Sequence, residues 1–325
     1  MSYFLGIDLG GTNTKAGIVD DQGRILYKDR IKTFASRDQY EIVRDMGALG
    51  SRVIEASGIP LSEIAAIGVG SPGTSNNETG ELIFTGNLSF RHMPIRDEFH
   101  KMFDLPFYIG NDANVAALAE SVAGAAKGSR SSVTITLGTG VGGGFIIHDR
   151  IYSGFNQAGC EIGHNVIVFG GEPCTCGRRG CFEVYSSATA LIRDTERAAD
   201  KNPESILNQL IAENGGKADG RTAFIAMRAG DAAGAAVVEN YIDMLAESLA
   251  NVINTLMPEV IAIGGGISNE GDALLVPVRE RTLARGFLAE GVERPRIVLA
   301  QMGNDAGIVG AAMMARNCLE DGQVG

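Results

Sequence analysis

A strand, a glycine-rich turn and a second strand open this chain, and the same unit returns 128 residues later. Tyr3 to Asp8 is a short apolar run, Gly10-Gly11-Thr12-Asn13 a turn, and Lys15 to Asp20 a second run. Asp21-Gln22-Gly23 reads as a hairpin connection into a third strand at Arg24 to Tyr27. Val133 to Leu137, the glycine turn Gly138 to Gly144, Phe145 to His148, the turn Asp149-Arg150 and Ile151-Tyr152 repeat that order. Overlaid without a gap, Gly10 meets Gly138, Ile18-Val19 meets Ile146-Ile147, and Asp21 meets Asp149. The repeat implies a duplicated α/β unit. A chain of 325 residues also exceeds what one hydrophobic core usually serves, so two domains are expected.

Between and after the two hairpins the pattern alternates. Ile42, Met46, Leu49, Val53 and Ile54 have helical spacing within Tyr40 to Ser57. Ile64 to Val69 reads as a strand broken at Ser71-Pro72-Gly73, and Phe107 to Gly110 as a buried strand ending at Asn111-Asp112. An alanine-rich helix follows from Asn114 to Gly124. Helices are expected over Ala188 to Lys201 and Ala235 to Leu256, the latter stopped by Pro258. A buried strand at Val260 to Ile263 runs into Gly264-Gly265-Gly266. The last helix, Ala306 to Asn317, presents small residues to a close neighbour.

Charge removes whole classes of function. Twenty-eight Lys and Arg stand against 39 Asp and Glu, a net charge of −11, and no basic run offers the face a nucleic-acid binder needs. No apolar run approaches the roughly 18 residues of a membrane span. The N-terminal residues lack the pattern of a signal peptide, so a cytoplasmic protein is expected.

The glycine loops speak to phosphate. Glycines let backbone N–H groups converge on an anion, Thr12 and Thr14 add hydroxyls, and Asp8 can hold a cation through water. An ordinary hairpin turn is the competing reading of Gly10 to Asn13. Gly138-Thr139-Gly140-Val141-Gly142-Gly143 and Gly68-Val69-Gly70-Ser71-Pro72-Gly73 each contain a formal G-x-G-x-x-G. The first leads into a strand rather than a helix and the second is broken by Pro72, so neither fits dinucleotide binding. No G-x-x-x-x-G-K-[ST] occurs, which excludes a P-loop.

Three of the five cysteines, Cys174, Cys176 and Cys181, lie within eight residues, and His164 precedes Cys174 by ten. Three thiolates and one imidazole make a closed tetrahedral Zn2+ set, hence a structural ion. Gly177 and Gly180 permit the turns that this needs. Cys160 is a rival ligand four residues before His164, and Cys318 has no partner nearby in sequence. His92, His100 and His148 have no motif context and read as surface or satisfied polar residues.

Taken in order, the set Asp8-x-Gly10-Gly11-Thr12, Asn111-Asp112, Leu137 to Gly144, Glu161-x-Gly163-His164, Cys174-x-Cys176-Gly177-x-x-Gly180-Cys181-x-Glu183 and Gly264 to Gly266 resembles the ROK family of sugar kinases and repressors, most of all its bacterial glucokinase branch. The resemblance covers essentially the whole chain. It implies an α/β fold of two actin-like, ribonuclease H-like domains with a cleft between them. The division expected is 1–115, completed by the C-terminal helix 305–325, and 116–304, which carries the zinc loop.

The resemblance also implies roles. Asp112 matches the general base that takes the proton of a sugar 6-hydroxyl; helix capping by Asn111-Asp112 is the plainer alternative. Asn87, Asn111, Asp112, Glu161, His164 and Glu183 match sugar contacts, with His164 serving zinc through one ring nitrogen and sugar through the other. Gly10, Gly11, Thr12, Asn13, Thr14, Lys15, Gly138, Thr139, Gly140 and Gly265 match the ATP and phosphate contacts, and Asp8 the Mg2+ side. Family members often carry Trp shortly after the Asn-Leu at the sugar mouth; here Asn87-Leu88 is followed by Ser89-Phe90, and the chain has no Trp.

The function so implied is ATP-dependent phosphorylation of a hexose at its 6-hydroxyl, with glucose foremost. N-acetylmannosamine or N-acetylglucosamine, and fructose, mannose or allose, are the alternative acceptors. A non-catalytic sugar sensor would lack the base or carry a DNA-binding arm, and Asp8 stands too near the start for one. Structural Zn2+, Mg2+ with ATP and a homodimer or higher homo-oligomer complete the expectation, with no nucleic-acid or membrane partner.

Overall fold

The structure is a computed structural model that describes residues 2–323. The chain begins with β1 (Tyr3–Leu9), β2 (Asn13–Asp20), β3 (Ile25–Lys32), α1 (Gln39–Ser57), β4 (Ile64–Ser71), β5 (Thr74–Asn76), β6 (Glu81–Phe84), β7 (Arg91–Met93), α2 (Ile95–His100), β8 (Phe107–Asn111) and α3 (Asp112–Ala123). The second hairpin is β9 (Ser131–Leu137), β10 (Val141–Ile147) and β11 (Arg150–Tyr152). Then come α4 (Glu183–Ser186), α5 (Ala188–Lys201), α6 (Ile206–Glu213), α7 (Thr222–Arg228), α8 (Ala232–Leu256), β12 (Val260–Gly264), α9 (Asp272–Arg285), β13 (Arg296–Leu299) and α10 (Ala306–Glu320).

Two five-stranded sheets follow one order, β3-β2-β1-β4-β8 and β11-β10-β9-β12-β13. In the first, β1, β2 and β3 are antiparallel neighbours, β4 joins β1 in parallel, and β8 joins β4 in parallel. In the second, β10–β11 is antiparallel and β12–β13 parallel. The repeat read from the glycine turns is therefore a repeat of strand order, the ribonuclease H-like arrangement of actin-like ATPase domains. A smaller sheet, β5-β6-β7, is inserted after β4.

Two compact units emerge. The first takes residues up to Thr134, Gly144–Cys160 and those from Gln301 on; the second takes Ile135–Gly143 and Glu161–Ala300. The boundary expected between residues 115 and 116 falls inside α3, whose main neighbour in the first unit is α10. That α10 packs on β1 and β4 explains its small residues. Gly6 and Gly68 are register partners in those strands, and a Cβ on either would collide with the α10 carbonyl oxygens of Ile308 or Ala311.

Helix α1 shows how pattern becomes core. Asp38 caps its start by accepting from Tyr40 N, and Gly58 ends it at φ 73°. Ile42, Met46, Leu49 and Val53 are buried against Leu5, Ile7, Ile18 and Ile67. Truncating one of these to alanine costs about 2–5 kcal/mol. Among the described residues no helix is long and apolar enough to cross a membrane.

Candidate functional site

The first unit sets its candidate residues on strand ends. Asp8 and Lys15 stand opposite each other across the β1–β2 hairpin, and Lys15 Nζ lies 3.0 Å from Asp8 Oδ2 and 3.1 Å from the Asn304 carbonyl oxygen. The turn closes with Gly10 N donating to Asn13 O at 3.2 Å. From behind, Thr33 Oγ1 donates to Gly10 O at 2.7 Å and Thr33 N to Thr12 O at 3.0 Å. Thr12 remains exposed. Thr14 departs from expectation: it is 1% exposed, and its hydroxyl pairs with Thr33 at 3.0 Å, so it braces the loop instead of facing a phosphate. A cavity of about 710 Å³ opens here, lined by Asp8, Gly10, Thr12, Asn13 and Lys15 together with β3 and the start of α10.

Asn111 ends β8 and caps α3. Its Oδ1 accepts from Ala113 N at 2.9 Å and Asn114 N at 3.3 Å, while Nδ2 donates to Gly73 O at 3.2 Å. Asp112 follows at the first helical position, exposed, with Oδ1 accepting from Ala113 N at 2.8 Å. The capping reading of Asn111 and the presentation of Asp112 are thus one device: the cap ends the strand and turns the carboxylate outward at its C-terminal end. Asn87 lies beside the Gly10–Asn13 turn, its Nδ2 3.2 Å from where a Gly11 Cβ would stand. Phe90 is fully buried in the core.

In the second unit two elements converge on Val141, just past the glycine turn. Glu183 Oε2 accepts from Val141 N at 3.0 Å, and Gly163 packs so closely on Val141 that a Cβ would strike its carbonyl oxygen. The turn itself is only Gly138-Thr139-Gly140, closed by Gly138 N to Gly140 O at 3.0 Å; Val141 to Gly144, expected as turn, belong to β10. Thr189 Oγ1 donates to Thr139 O at 2.7 Å and Ala188 N to Gly138 O at 2.8 Å, so α5 steadies the loop. Gly265 stands at φ 89° against Leu137, which sets the β12 glycine triplet beside the same loop.

His164, Cys174, Cys176 and Cys181 bring their ligand atoms within 4.8 Å of one another. Cys176 and Cys181 sulfurs are 3.7 Å apart, and Cys174 Sγ is 3.6 Å from His164 Nδ1. Tetrahedral bonds of about 2.3 Å to sulfur and 2.0–2.1 Å to nitrogen span about 3.7 and 3.6 Å between ligands. The group therefore has the shape of a four-ligand metal site. A backbone N–H at Arg178 pulls the exposed Cys176 thiol below its ordinary value, while burial pushes Cys181 up to about 12. Cys160 is not part of the group; its Sγ lies 3.2 Å from Tyr152 O. Cys318 is buried beside Asn77, and burial raises it to about 11.

With these features in view, the comparisons with known proteins agree. The ROK family profile matches residues 4–318. The chain belongs to the ROK family. It is 35% identical to a glucokinase of Halalkalibacterium halodurans, over 98% of each chain. Among solved structures it is similar to the ROK glucokinase of Streptomyces griseus in complex with glucose and AMPPNP, at 32% identity and a TM-score of 0.79 over 97% of this chain and 100% of that one. The ROK hexokinase of Thermus thermophilus gives 31% identity and a TM-score of 0.83 over 98% and 99%.

Sequence reasoning missed Thr33, Thr189 and Asn304. Each acts through a contact with a distant segment and belongs to no motif, so no local signal marks it.

Proposed function

We propose that this ROK protein transfers the γ-phosphoryl group of ATP to the 6-hydroxyl of glucose. The observation that carries the reading is Asp112, an exposed carboxylate at the C-terminal end of a parallel strand, in a chain that matches glucokinases from end to end. In this reading Asp112 accepts the proton of the 6-hydroxyl and aims its oxygen, which is most of what a protein group contributes to phosphoryl transfer. Asn111 and Asn87 lie on the same unit as sugar contacts, and Asn111 keeps its capping bonds while serving.

Glu161, His164 and Glu183 bind the remaining hydroxyls. His164 turns Nδ1 to the thiols, which leaves Nε2 for a hydroxyl. Glu183 holds Val141 N with one carboxylate oxygen, so a sugar seated on it is registered against the Gly138 loop. The thiol spacing and three soft sulfur donors fit Zn2+, whose task here is to order the chain between Glu161 and Glu183. For ATP, the amides of Gly10 to Asn13 and Gly138 to Gly140 receive phosphates, and Gly265 lies on the nucleoside side. Lys15 adds a positive charge. Asp8 supplies a hard oxygen in a roomy cavity, which suits Mg2+, an ion that keeps several waters and, when bound, neutralises phosphate charge.

Glucose is preferred to an N-acetylated hexosamine for a stated reason. An acetamido group wants an apolar wall, and Phe90, the aromatic of that stretch, is fully buried in the core. The test is ADP release in a coupled assay with MgATP over glucose, mannose, fructose, allose, N-acetylglucosamine and N-acetylmannosamine. Glucose is expected to lead; no ADP release with any hexose would refute the kinase reading.

A further inference from the structure

Glu120 is a buried carboxylate with no basic partner among the described residues. It is 2% exposed, and it accepts from three backbone N–H groups: Gln301 N at 2.9 Å and Met302 N at 2.7 Å on Oε1, and Ala125 N at 2.8 Å on Oε2. A buried charge is retained only where its lone pairs are met, and here three donors meet them. Two of those donors lie 181 and 182 residues away in sequence.

What the distant donors belong to gives the contact its meaning. Gln301 and Met302 open the short segment that ends at the start of α10, and that segment is one wall of the phosphate cavity. Asn304 O receives Lys15 Nζ, Asp305 pairs with Lys28 at 2.6 Å, and Gly307 backs directly onto the Asp8 carboxylate. Glu120 itself sits on α3, eight residues after Asp112, or about 12 Å along the helix axis. One helix thus carries the proposed base at its first turn and holds a wall of that cavity near its last.

We propose that Glu120 is a positioning residue for the nucleotide: its charge clamps the segment 301–305 to α3 and so fixes the height of the wall that carries the Lys15 acceptor and abuts Asp8. The proposal rests on the kinase reading and deepens it. A glutamine cannot replace the carboxylate, because its NH2 would be set against at least one of the three N–H groups. Gly124 offers an independent way to disturb the clamp. Its φ of −114° is negative, and a Cβ there would collide with Glu120 Oε2, stand 2.8 Å from Cδ and 2.9 Å from the helix backbone at Glu120 Cα.

The experiment is calorimetric titration of the full-length wild type, Glu120→Gln and Gly124→Ala with MgADP, and separately with glucose, well below their melting temperatures. Losing one charge-assisted bond predicts MgADP binding weakened about tenfold or more in both variants, with the glucose Kd unchanged within about twofold. If Glu120→Gln does not fold, Gly124→Ala carries the test alone. Nucleotide binding as tight as wild type overturns the clamp, and so does a parallel loss of sugar and nucleotide affinity, the mark of a merely structural residue. A wild-type chain that binds glucose but no MgADP overturns the kinase reading, and the clamp with it.

Discussion

Gly265→Ala is the perturbation whose cost the geometry states most fully. The residue lies at φ 89° and ψ 176°, a region open essentially to glycine, and occupying it with a side chain costs about 1–3 kcal/mol. The new Cβ would also fall 2.6 Å from both C and N of Leu137 and collide with its carbonyl oxygen. Those are backbone atoms of β9 and cannot swing aside, so overpacking adds about 1–3 kcal/mol. The sum centres on about 4 kcal/mol, and at about 2–4 °C per kcal/mol the melting temperature drops by about 8–16 °C. Because Leu137 runs straight into the Gly138 loop, MgADP affinity should fall as well. Gly266→Ala is the internal control: nothing lies within 4 Å of its Cβ position and its φ is not positive, so it should stay within about 0.5 kcal/mol of wild type. Thermal melts of the two variants followed by circular dichroism decide the matter. A Gly265→Ala protein that melts within about 2 °C of Gly266→Ala, less than 1 kcal/mol on the same scale, refutes the close packing of the triplet on β9.

Other perturbations test other parts. Cys176→Ser should reduce bound zinc, measured by elemental analysis, and weaken glucose binding and stability together; active wild-type enzyme with no zinc contradicts the site. Asp231 caps α8 through Gly234 N at 2.7 Å and holds Ser205 Oγ at 2.9 Å and Ile206 N at 3.2 Å. The Gly234 N–H first, and then Ser205 and Ile206, hold its carboxyl below the usual 3.8. A lowered folded value means the stabilisation is present above 3.8 and is lost as pH falls through the folded value. Asp231→Ala should therefore cost about 1 kcal/mol at pH 7, with the gap to wild type closing in acid; a gap that is constant down to pH 2 contradicts the assignment. A pocket built on a 2-hydroxyl rejects analogues lacking that bond by up to about 10⁴-fold, so kcat/KM for glucose should exceed that for N-acetylglucosamine by at least about a hundredfold. Equal values would move the protein to the amino-sugar kinases.

Much of this arrangement was legible in the chain because its signals are local. The hairpins announce themselves through Gly10-Gly11 and Asp21-Gln22-Gly23, and α5 ends where Lys201 was expected. The cluster of His164 with three cysteines was legible because Cys174, Cys176 and Cys181 are neighbours in sequence as well as in space. What was not legible depends on distant partners. Val141 to Gly144 look like turn by composition, yet they form a strand; in the first unit, Gly144 in that strand lets Ala117 of α3 come close. The small sheet β5-β6-β7 has strands of three or four residues, too short for alternation to show. Helix α9 carries Pro277 in its interior, which reads as a break. Thr14 was assigned to phosphate by its motif, but β2 points it inward to Thr33. Glu120 sits in an alanine-rich stretch, and nothing near it tells of Gln301.

The most direct test of the whole account sets turnover against binding in Asp112→Asn. The amide keeps size and shape and removes the base. If Asp112 takes the 6-hydroxyl proton, kcat with glucose and MgATP falls by about 10²–10⁴-fold, while the calorimetric glucose Kd and the melting temperature stay close to wild type. A variant that keeps more than about a tenth of wild-type kcat, well short of that range, contradicts Asp112 as the base and with it the central claim.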